Sequence, residues 1–367
     1  MGALRLLLAI AVILQHYGPS GFMISGMQAV HIFFIISGFY MAMILSEKYG
    51  FDRKGLKAFY INRILRIYPT YLTVLFCAIT WHFICYYTTH GIYPIPIVSF
   101  ATFLPFWQRI AFILTNFTLL GVDVPLLFSY SPIHGLHFFI NSQFDILGEN
   151  VTRMYGFIVI PQAWSISAEL CFYLIAPFAC FGKGIRAISL GAISLFLSIF
   201  ITKHYGFSAY WFWPAAFYLF AMGILSYKIC DWVLFHSRFL LGEHRVLLTC
   251  LLSWIFLLFV PVWSKVLPEW IFSAGSVILV PILFNITKNN RIDRYLGNLS
   301  YPLYCVHFLM GEISRTFIGR FHISYAFLPC FVLITSILAS MVLHHFIEEK
   351  VDFIRNAIAL KLKRPSS

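Results

Sequence analysis

The sequence predicts an all-α polytopic membrane protein with about ten transmembrane helices. Of its 367 residues, 60% are hydrophobic and only 11% are charged, and the mean hydropathy is +0.83. Soluble domains carry about 25% charged residues and disordered chains are poor in apolar residues, so both classes are excluded. The apolar residues fall in runs of roughly 20, the length that crosses a bilayer as a helix, without the alternation of a membrane β-barrel.

Ten apolar segments have about the length of a membrane-spanning helix. In chain order they lie near residues 3–18, 27–46, 68–88, 163–181, 187–202, 210–228, 246–263, 270–287, 295–316 and 324–346. The first begins like a signal peptide, with Arg5 ahead of an apolar run, but no small-residue cleavage site follows between His16 and Pro19. We therefore expect this segment to be retained as the first helix.

Positive charge predicts the orientation of these helices. The connections of a polytopic protein alternate between the two sides of the membrane, and the cytoplasmic ones carry an excess of Lys and Arg. The two ends of the chain and every second connection between the predicted helices lie on one side, and together they hold 20 of the 26 Lys and Arg residues. We therefore expect the N- and C-termini in the cytoplasm. The net charge of +12 is then mostly a topology signal that requires no nucleic-acid partner.

One connection, residues 89–162, is much longer than the others and is predicted to lie outside the cytoplasm. Its apolar part is interrupted by Pro105 and by polar residues, and an eleventh span there would invert every later loop. We expect a structured segment within a membrane domain of residues 1–347, followed by a short basic tail, 348–367. The connection 89–162 contains aromatic and polar side chains that suit sugar recognition and are expected to select the acceptor. They are Trp107, Asn116, Asp123, Tyr130, Asn141, Gln143, Asp145, Glu149 and Tyr155.

Two titratable residues of the first predicted helix share one helix face. Arg5 and His16 are eleven residues apart, which gives about 1100° of rotation, roughly 20° past three turns, and a rise of roughly 16 Å. Arg5 is therefore expected near the cytoplasmic surface and His16 well across the membrane. A neutral imidazole there can take a proton from a hydroxyl group. A snorkelling arginine and a hydrogen-bonded core histidine are the alternative.

Other polar residues in or beside the apolar segments are further candidates for function. Arg63 and Arg66 share a helix face ahead of Pro69, where they suit either a phosphate clamp or anchoring at the inner surface. Glu169 lies in an apolar run, where it either balances the charge of a histidine or is protonated and structural. The eight cysteines show neither a CxxC pair nor zinc-ligand spacing, so we predict no metal site.

Five short motifs follow one another along the chain. They are RLLLAIAVILQH, from Arg5 to His16; FFIISGF at 33–39, with Ser37; RILRIYP at 63–69, with Tyr68; WSISAE, from Trp164 to Glu169; and LGNLSYPLYCVH at 296–307, with Ser300, Tyr301 and His307. Together they resemble the motifs of the membrane-bound acyltransferase 3 family, bacterial O-acyltransferases of surface carbohydrates. His31 departs from this pattern, because many members of the family carry Asp there.

The resemblance implies that an acyl group, expected to be acetyl, passes from cytoplasmic acyl-CoA to a hydroxyl group of a surface or exported carbohydrate, in a bacterial inner membrane. It implies that Arg5, Arg63 and Arg66 bind the phosphates of the donor. His16 would be the general base and Glu169 would stabilise its imidazolium. Supporting roles are implied for His31, Ser37, Tyr68, Trp164, Ser300, Tyr301 and His307.

No bound cofactor is expected, and acyl-CoA is a co-substrate. The expected partners are acyl-CoA, a glycan or glycolipid acceptor, and membrane lipids. The oxyanion donor is left open between Ser300, Tyr301 and a backbone N–H. A covalent acyl-histidine intermediate is the alternative mechanism, and a carrier or flippase for lipid-linked sugars without acyl transfer is the alternative function. The sequence leaves the acceptor glycan and the oligomeric state open.

The charge distribution yields a test of topology. A reporter that is active only in the cytoplasm, fused after residue 367, is expected to be active, because 20 of 26 basic residues lie on the same side as that end. The same reporter inserted within residues 89–162 is expected to be inactive. Activity of a periplasm-specific reporter at the C-terminal position would contradict the prediction.

Overall fold

The computed structural model describes residues 1–19, 24–90, 105–131, 135–138, 152–182, 184–205, 209–236 and 269–363. Within these ranges the chain is mainly helical. The helices are α1 (Gly2–Tyr17), α2 (Gly26–Ile44), α3 (Arg53–Thr88), α4 (Phe106–Thr118), α5 (Ala163–Cys180), α6 (Ile185–Tyr205), α7 (Trp213–Lys228), α8 (Glu269–Thr287), α9 (Arg291–Arg320), α10 (Leu328–Leu343) and α11 (Glu349–Lys363). Two π-helical segments, Leu45–Tyr49 and His344–Glu348, continue α2 and α10.

The all-α membrane class is confirmed. Six helical segments in the described ranges are long and apolar enough to cross a bilayer, and a seventh is possible if Trp213–Lys228 and Cys230–His236, which meet at 59°, form one span. Helix α1 is apolar but shorter. Nine of the ten predicted segments coincide with helices, and the other, 246–263, lies outside the described residues. The count of ten spans and the orientation of the termini stay predictions.

The long connection 89–162 has structure of its own where it is described. Helix α4 has 13 residues, fewer than the roughly 20 that a span requires. A small antiparallel sheet follows, made of β1 (Phe128–Ser131), β2 (Gly135–Phe138) and β3 (Thr152–Arg153) in the order β2-β1-β3. Tyr130 is paired with Leu136 on one side and with Thr152 on the other.

The chain forms two compact units. The first consists of Met1–Thr70, Ile175–Gly191 and Leu219–Ser367, and the second of Tyr71–Leu174 and Ala192–Tyr218. Helices α1, α2, α8, α9, α10 and α11 therefore belong to the first unit, whereas α4 and the sheet belong to the second.

Helices α1 and α9 pack closely within the first unit. The Asp293 carboxylate accepts hydrogen bonds from the amides of Gly2 (2.7 Å) and Ala3 (2.9 Å), so it caps the positive end of α1. A Cβ on Gly297 would lie 2.8 Å from the Cα of Gly2. Helices in lipid associate by such close packing because there is little hydrophobic drive between them. The two glycines therefore fix the register of α1 on α9.

A second glycine pair joins α2 to α7 in the same unit. A Cβ on Gly38 would lie 2.1 Å from the carbonyl oxygen of Phe220, and one on Gly223 would lie 2.0 Å from that of Ile35. Phe39 is fully buried beside this contact and meets Phe284 edge-on at 5.5 Å. In this structure the FFIISGF motif therefore acts in helix packing.

The glycine contact yields a stability prediction with a matched control. Gly38→Ala is expected to destabilise the protein by about 1–3 kcal/mol, because the added methyl group overpacks the α2–α7 contact. Gly275→Ala, in α8, is the control, since a Cβ there meets nothing within 4 Å. Thermal unfolding in detergent measures both variants. Equal melting temperatures for the two would contradict the role of Gly38.

Candidate functional site

A pair of histidines lies where α1 meets α9. His16 is exposed and is the residue before the last of α1, whereas His307 is fully buried in α9. Their rings are nearly parallel, with centroids 5.9 Å apart and an interplanar angle of 26°. Phe308 contacts both rings, at 4.7 Å from His16 and 4.9 Å from His307. One imidazole is therefore accessible to a ligand while the other is held in the helix packing.

The hydrogen bond of His307 assigns its tautomer. Its Nδ1 lies 2.8 Å from the carbonyl oxygen of Tyr304, and since a carbonyl only accepts, Nδ1 must carry the proton. Its buried Nε2 has no hydrogen-bond partner among the described residues. Protonation there would create a buried, uncompensated charge. His307 is therefore a neutral ring whose Nε2 lone pair can accept one further hydrogen bond.

Arg66 lies in a network at the junction of α3, α9 and α10. Its guanidinium forms a salt bridge with the buried Glu348, whose other oxygen accepts a hydrogen bond from Thr70 at 2.5 Å. The guanidinium also lies over the ring of Tyr301, at 5.8 Å. Removing Arg66 would leave a buried carboxylate with its main countercharge lost, which is strongly destabilising.

Two further arginines interact with this network. Arg63 lies over the ring of Phe59 at 5.9 Å and is a hydrogen-bond partner of the Tyr49 hydroxyl. Arg355, in α11, donates to the Oδ1 atom of Asn62 at 3.2 Å and forms a salt bridge with Asp352. Arg355 also interacts electrostatically with both Arg63 and Arg66. We call Arg63, Arg66 and Arg355 the arginine cluster.

Arg355 is not among the residues predicted from the sequence, because residues 348–367 were expected to form a tail. Helical spacing was the available signal: Glu348, Asp352 and Arg355 follow at i, i+4 and i+7, which places them on one helix face. Such a face is typical of a helix that packs against a charged neighbour.

Arg5 lies toward the start of α1, at the opposite end of the helix from His16. Helices α1 and α9 run in the same direction, because Gly2 packs against Gly297 and His16 against His307. Arg5 lies one helical turn beyond the first contact, and eleven residues, or roughly 16 Å, separate it from His16 along α1. Tyr301, which lies under Arg66, precedes His307 by six residues, or roughly 9 Å, along α9.

Ser300 and Tyr301 use their hydroxyl protons elsewhere. Ser300 donates to the carbonyl oxygen of Gly297 and Tyr301 to that of Ile67, both at 2.7 Å. Both residues are buried, and Tyr301 lies under Arg66. These bonds favour packing roles for the two residues over the role of oxyanion donor.

Glu169 belongs to the second unit, together with the rest of the WSISAE motif. It is half-buried and accepts a hydrogen bond from Tyr173 at 2.5 Å. Trp164 is also half-buried and meets Tyr210 edge-on at 5.2 Å. In the first unit, His31 and Ser37 are buried within α2 and Tyr68 is half-buried in α3.

Two residues expected to recognise sugars, Asn116 and Asp123, are instead buried and hydrogen-bonded within the protein. The Asn116 amide donates to the carbonyl oxygens of Phe112 and Phe157 and accepts from the Val159 amide, all at 2.9 Å. Its side chain is buried, so the expectation that it reads acceptor hydroxyl groups is wrong in this structure.

Asp123 is the second of these buried, hydrogen-bonded residues. It is fully buried and accepts hydrogen bonds from Ser167 and from the amide of Trp213, both at 3.3 Å. Burial raises the pKa of its carboxyl group, and these hydrogen bonds oppose that rise. A buried carboxylate with both oxygens engaged cannot also read an acceptor, so this expectation is wrong as well.

The aromatic candidates of the same connection are more open. The side chain of Trp107 is 77% exposed and that of Tyr155 is 52% exposed, whereas Tyr130 packs partly against Phe112, Met154 and Phe157. The remaining candidates, Asn141, Gln143, Asp145 and Glu149, lie outside the described residues. Of the aromatic candidates, Trp107 and Tyr155 are therefore the two whose side chains are available for stacking on a sugar.

A family model described as an acyltransferase domain, that of acyltransferase 3, matches residues 1–345. The match includes the histidine pair, Arg5, Arg63 and Arg66, and it ends before Glu348 and Arg355. Comparisons with curated proteins and with solved structures find no match.

Proposed function

Since the chain belongs to the acyltransferase 3 family, we propose that it transfers an acyl group from a cytoplasmic acyl-CoA to a hydroxyl group of a surface or exported carbohydrate. The single observation that carries the proposal is the exposed His16, held against the buried His307 at the end of α1. An accessible imidazole in a mainly apolar helix is suited to general-base catalysis. The proposed setting is the inner membrane of a bacterium.

The donor would be bound by its charged end at the arginine cluster and Arg5. Guanidinium groups bind phosphate oxygens in bidentate fashion and keep their charge at all relevant pH values. The uncharged pantetheine arm would extend along α9, from the level of Tyr301 to that of His307. Acetyl is the expected acyl group.

The chemical step would begin when His16 removes the proton of the acceptor hydroxyl as the oxygen attacks the thioester carbon. The tetrahedral intermediate then collapses, the C–S bond breaks and the new ester C–O bond remains. The thiolate of coenzyme A leaves and takes its proton from the imidazolium of His16, so atoms and charges balance. His307 and Phe308 would hold the imidazole in position, and the neutral tautomer of His307 adds no positive charge beside the imidazolium.

The role that the resemblance implies for Glu169 stays a prediction, and a covalent acyl-histidine is the alternative intermediate. Mass spectrometry of protein quenched after mixing with acyl-CoA alone distinguishes the two routes, because only the covalent route adds an acyl group to His16. A carrier or flippase would instead release no coenzyme A when donor and glycan are supplied together.

The role of His16 is tested by His16→Ala. The variant is expected to lose acyl transfer to the glycan, since the base is removed, while membrane insertion and coenzyme A binding persist. His204→Ala, which removes an exposed histidine from α6, is the control and should stay active. The assay is coenzyme A release by purified protein with acyl-CoA and the acceptor glycan. Activity of His16→Ala near that of the unaltered protein would exclude His16 from the mechanism.

Acceptor recognition is tested at the exposed aromatic residues of 89–162. Trp107→Ala is expected to raise the acceptor concentration for half-maximal activity about two- to tenfold, as follows from ~0.5–1.5 kcal/mol for a ring contact, and to leave the donor dependence unchanged. Trp232→Ala, which removes an indole that is 62% exposed, is the control.

A loop exchange checks the same idea for the whole segment. Residues 89–162 are replaced by the matching segment of a relative that acylates another glycan. A folded chimera that still acylates only the original acceptor, or equal effects of the two tryptophan variants, would assign specificity to the helices.

A further inference from the structure

Arg355 is brought to the arginine cluster by a helix that lies beyond the family match. The match ends at residue 345, whereas α11 spans Glu349–Lys363. The side chain of Arg355 is held toward α3 from two sides, by Asn62 and by Asp352. Only 16% of this side chain is exposed. A guanidinium in such a position is fixed by its surroundings and is not a mobile surface charge.

Two rare helical segments both end at this network. The π-helical turn Leu45–Tyr49 ends at Tyr49, the hydrogen-bond partner of Arg63. The π-helical turn His344–Glu348 ends at Glu348, the salt-bridge partner of Arg66. Turns of this kind are uncommon and occur frequently at functional sites, because the extra residue redirects the side chains that follow. Two of them on one network indicate a built site.

The network brings three like charges together. Arg355 interacts electrostatically with both Arg63 and Arg66, while Glu348 pairs with Arg66 and Asp352 with Arg355. Tyr49, Asn62 and Thr70 supply only neutral groups. Placing three like charges together is unfavourable, and a bound anion lowers that cost. Guanidinium forks suit the oxygens of a phosphate group.

We propose that Arg355 is a third phosphate-binding arginine of the donor site, contributed by the helix that follows the family domain. This inference rests on the proposed function, since the ligand is the phosphate-bearing end of coenzyme A. Arg355 and Arg63 bind a phosphate group between them, while Arg66 is held by Glu348 as the inner wall of the site. The C-terminal helix is thereby part of the donor site.

The test is equilibrium binding of coenzyme A to the full-length protein in lipid nanodiscs. Arg355→Ala is expected to weaken binding about tenfold or more, the usual effect of losing a charge-assisted hydrogen bond. Pantetheine, which has no phosphate group, is expected to bind both proteins equally. Comparing coenzyme A with its 3′-dephospho form tells which phosphate is bound: the variant loses discrimination between them only if Arg355 contacts the ribose phosphate.

Two controls separate ligand binding from support of α11. Arg291→Ala removes an exposed arginine at the start of α9 and should leave binding unchanged. Asp352→Asn removes the salt bridge but keeps the guanidinium, so coenzyme A should bind at least as tightly as to the unaltered protein. A loss with Asp352→Asn equal to that with Arg355→Ala, or weaker pantetheine binding by Arg355→Ala, would show a structural role only and overturn the proposal.

Failure of this inference is distinguishable from failure of the proposed function. If the unaltered protein neither binds coenzyme A nor turns over acyl-CoA, the proposed function is wrong. If it does both and Arg355→Ala binds coenzyme A as tightly as Arg291→Ala does, only the role of Arg355 is wrong.

Discussion

The close packing of α1 on α9 is the constraint on which the described site depends. Gly2 and Gly297 let the two backbones approach, and Asp293 holds the amides of Gly2 and Ala3 at 2.7 and 2.9 Å. Because the helices run in parallel from this contact, Arg5 lies close to it and His16 meets His307 roughly 16 Å farther along α1. Lipid tails are as apolar as the side chains, so moving an apolar side chain from lipid into a helix interface gains little free energy. Close geometric fit therefore carries most of the specificity of helix association in a membrane.

Charge pairing is the second constraint, and it limits what mutations can reveal. Glu348 is almost fully buried between Arg66 and Thr70, and a buried carboxylate deprived of its partner costs several kcal/mol. Loss of activity on removing Arg66 would therefore mix a lost donor contact with damage to the fold. Arg355 is a cleaner probe of donor binding than Arg66, because Asn62 is neutral and Asp352, the salt-bridge partner of Arg355, is only partly buried.

Local patterns in the sequence predicted the helices, whereas tertiary contacts decide which of the candidate residues meet. Apolar runs of bilayer length predicted α2, α5 and α8, since a span leaves a strong local signal. The spacing of Arg5 and His16 predicted their shared face, but it said nothing of His307, which comes from α9. Asn116 and Asp123 were misjudged because a polar residue in a connection has the same sequence pattern whether it binds a ligand or ties the backbone.

The division of charge between the two levels of α9 also explains why a phosphate-bearing donor suits this arrangement. Phosphate groups would stay beside the guanidinium groups at the level of Tyr301, where opposite charge is already fixed. Only the uncharged arm and its thioester would go deeper, over the roughly 9 Å that six residues of α9 span. Moving a charged group into the membrane interior costs several kcal/mol. A site that binds the phosphate groups near Tyr301 and holds the catalytic base near His307 avoids that cost. The arrangement therefore requires no charged path between Tyr301 and His307, and the residues between them on α9, such as Leu303 and Val306, are buried and apolar.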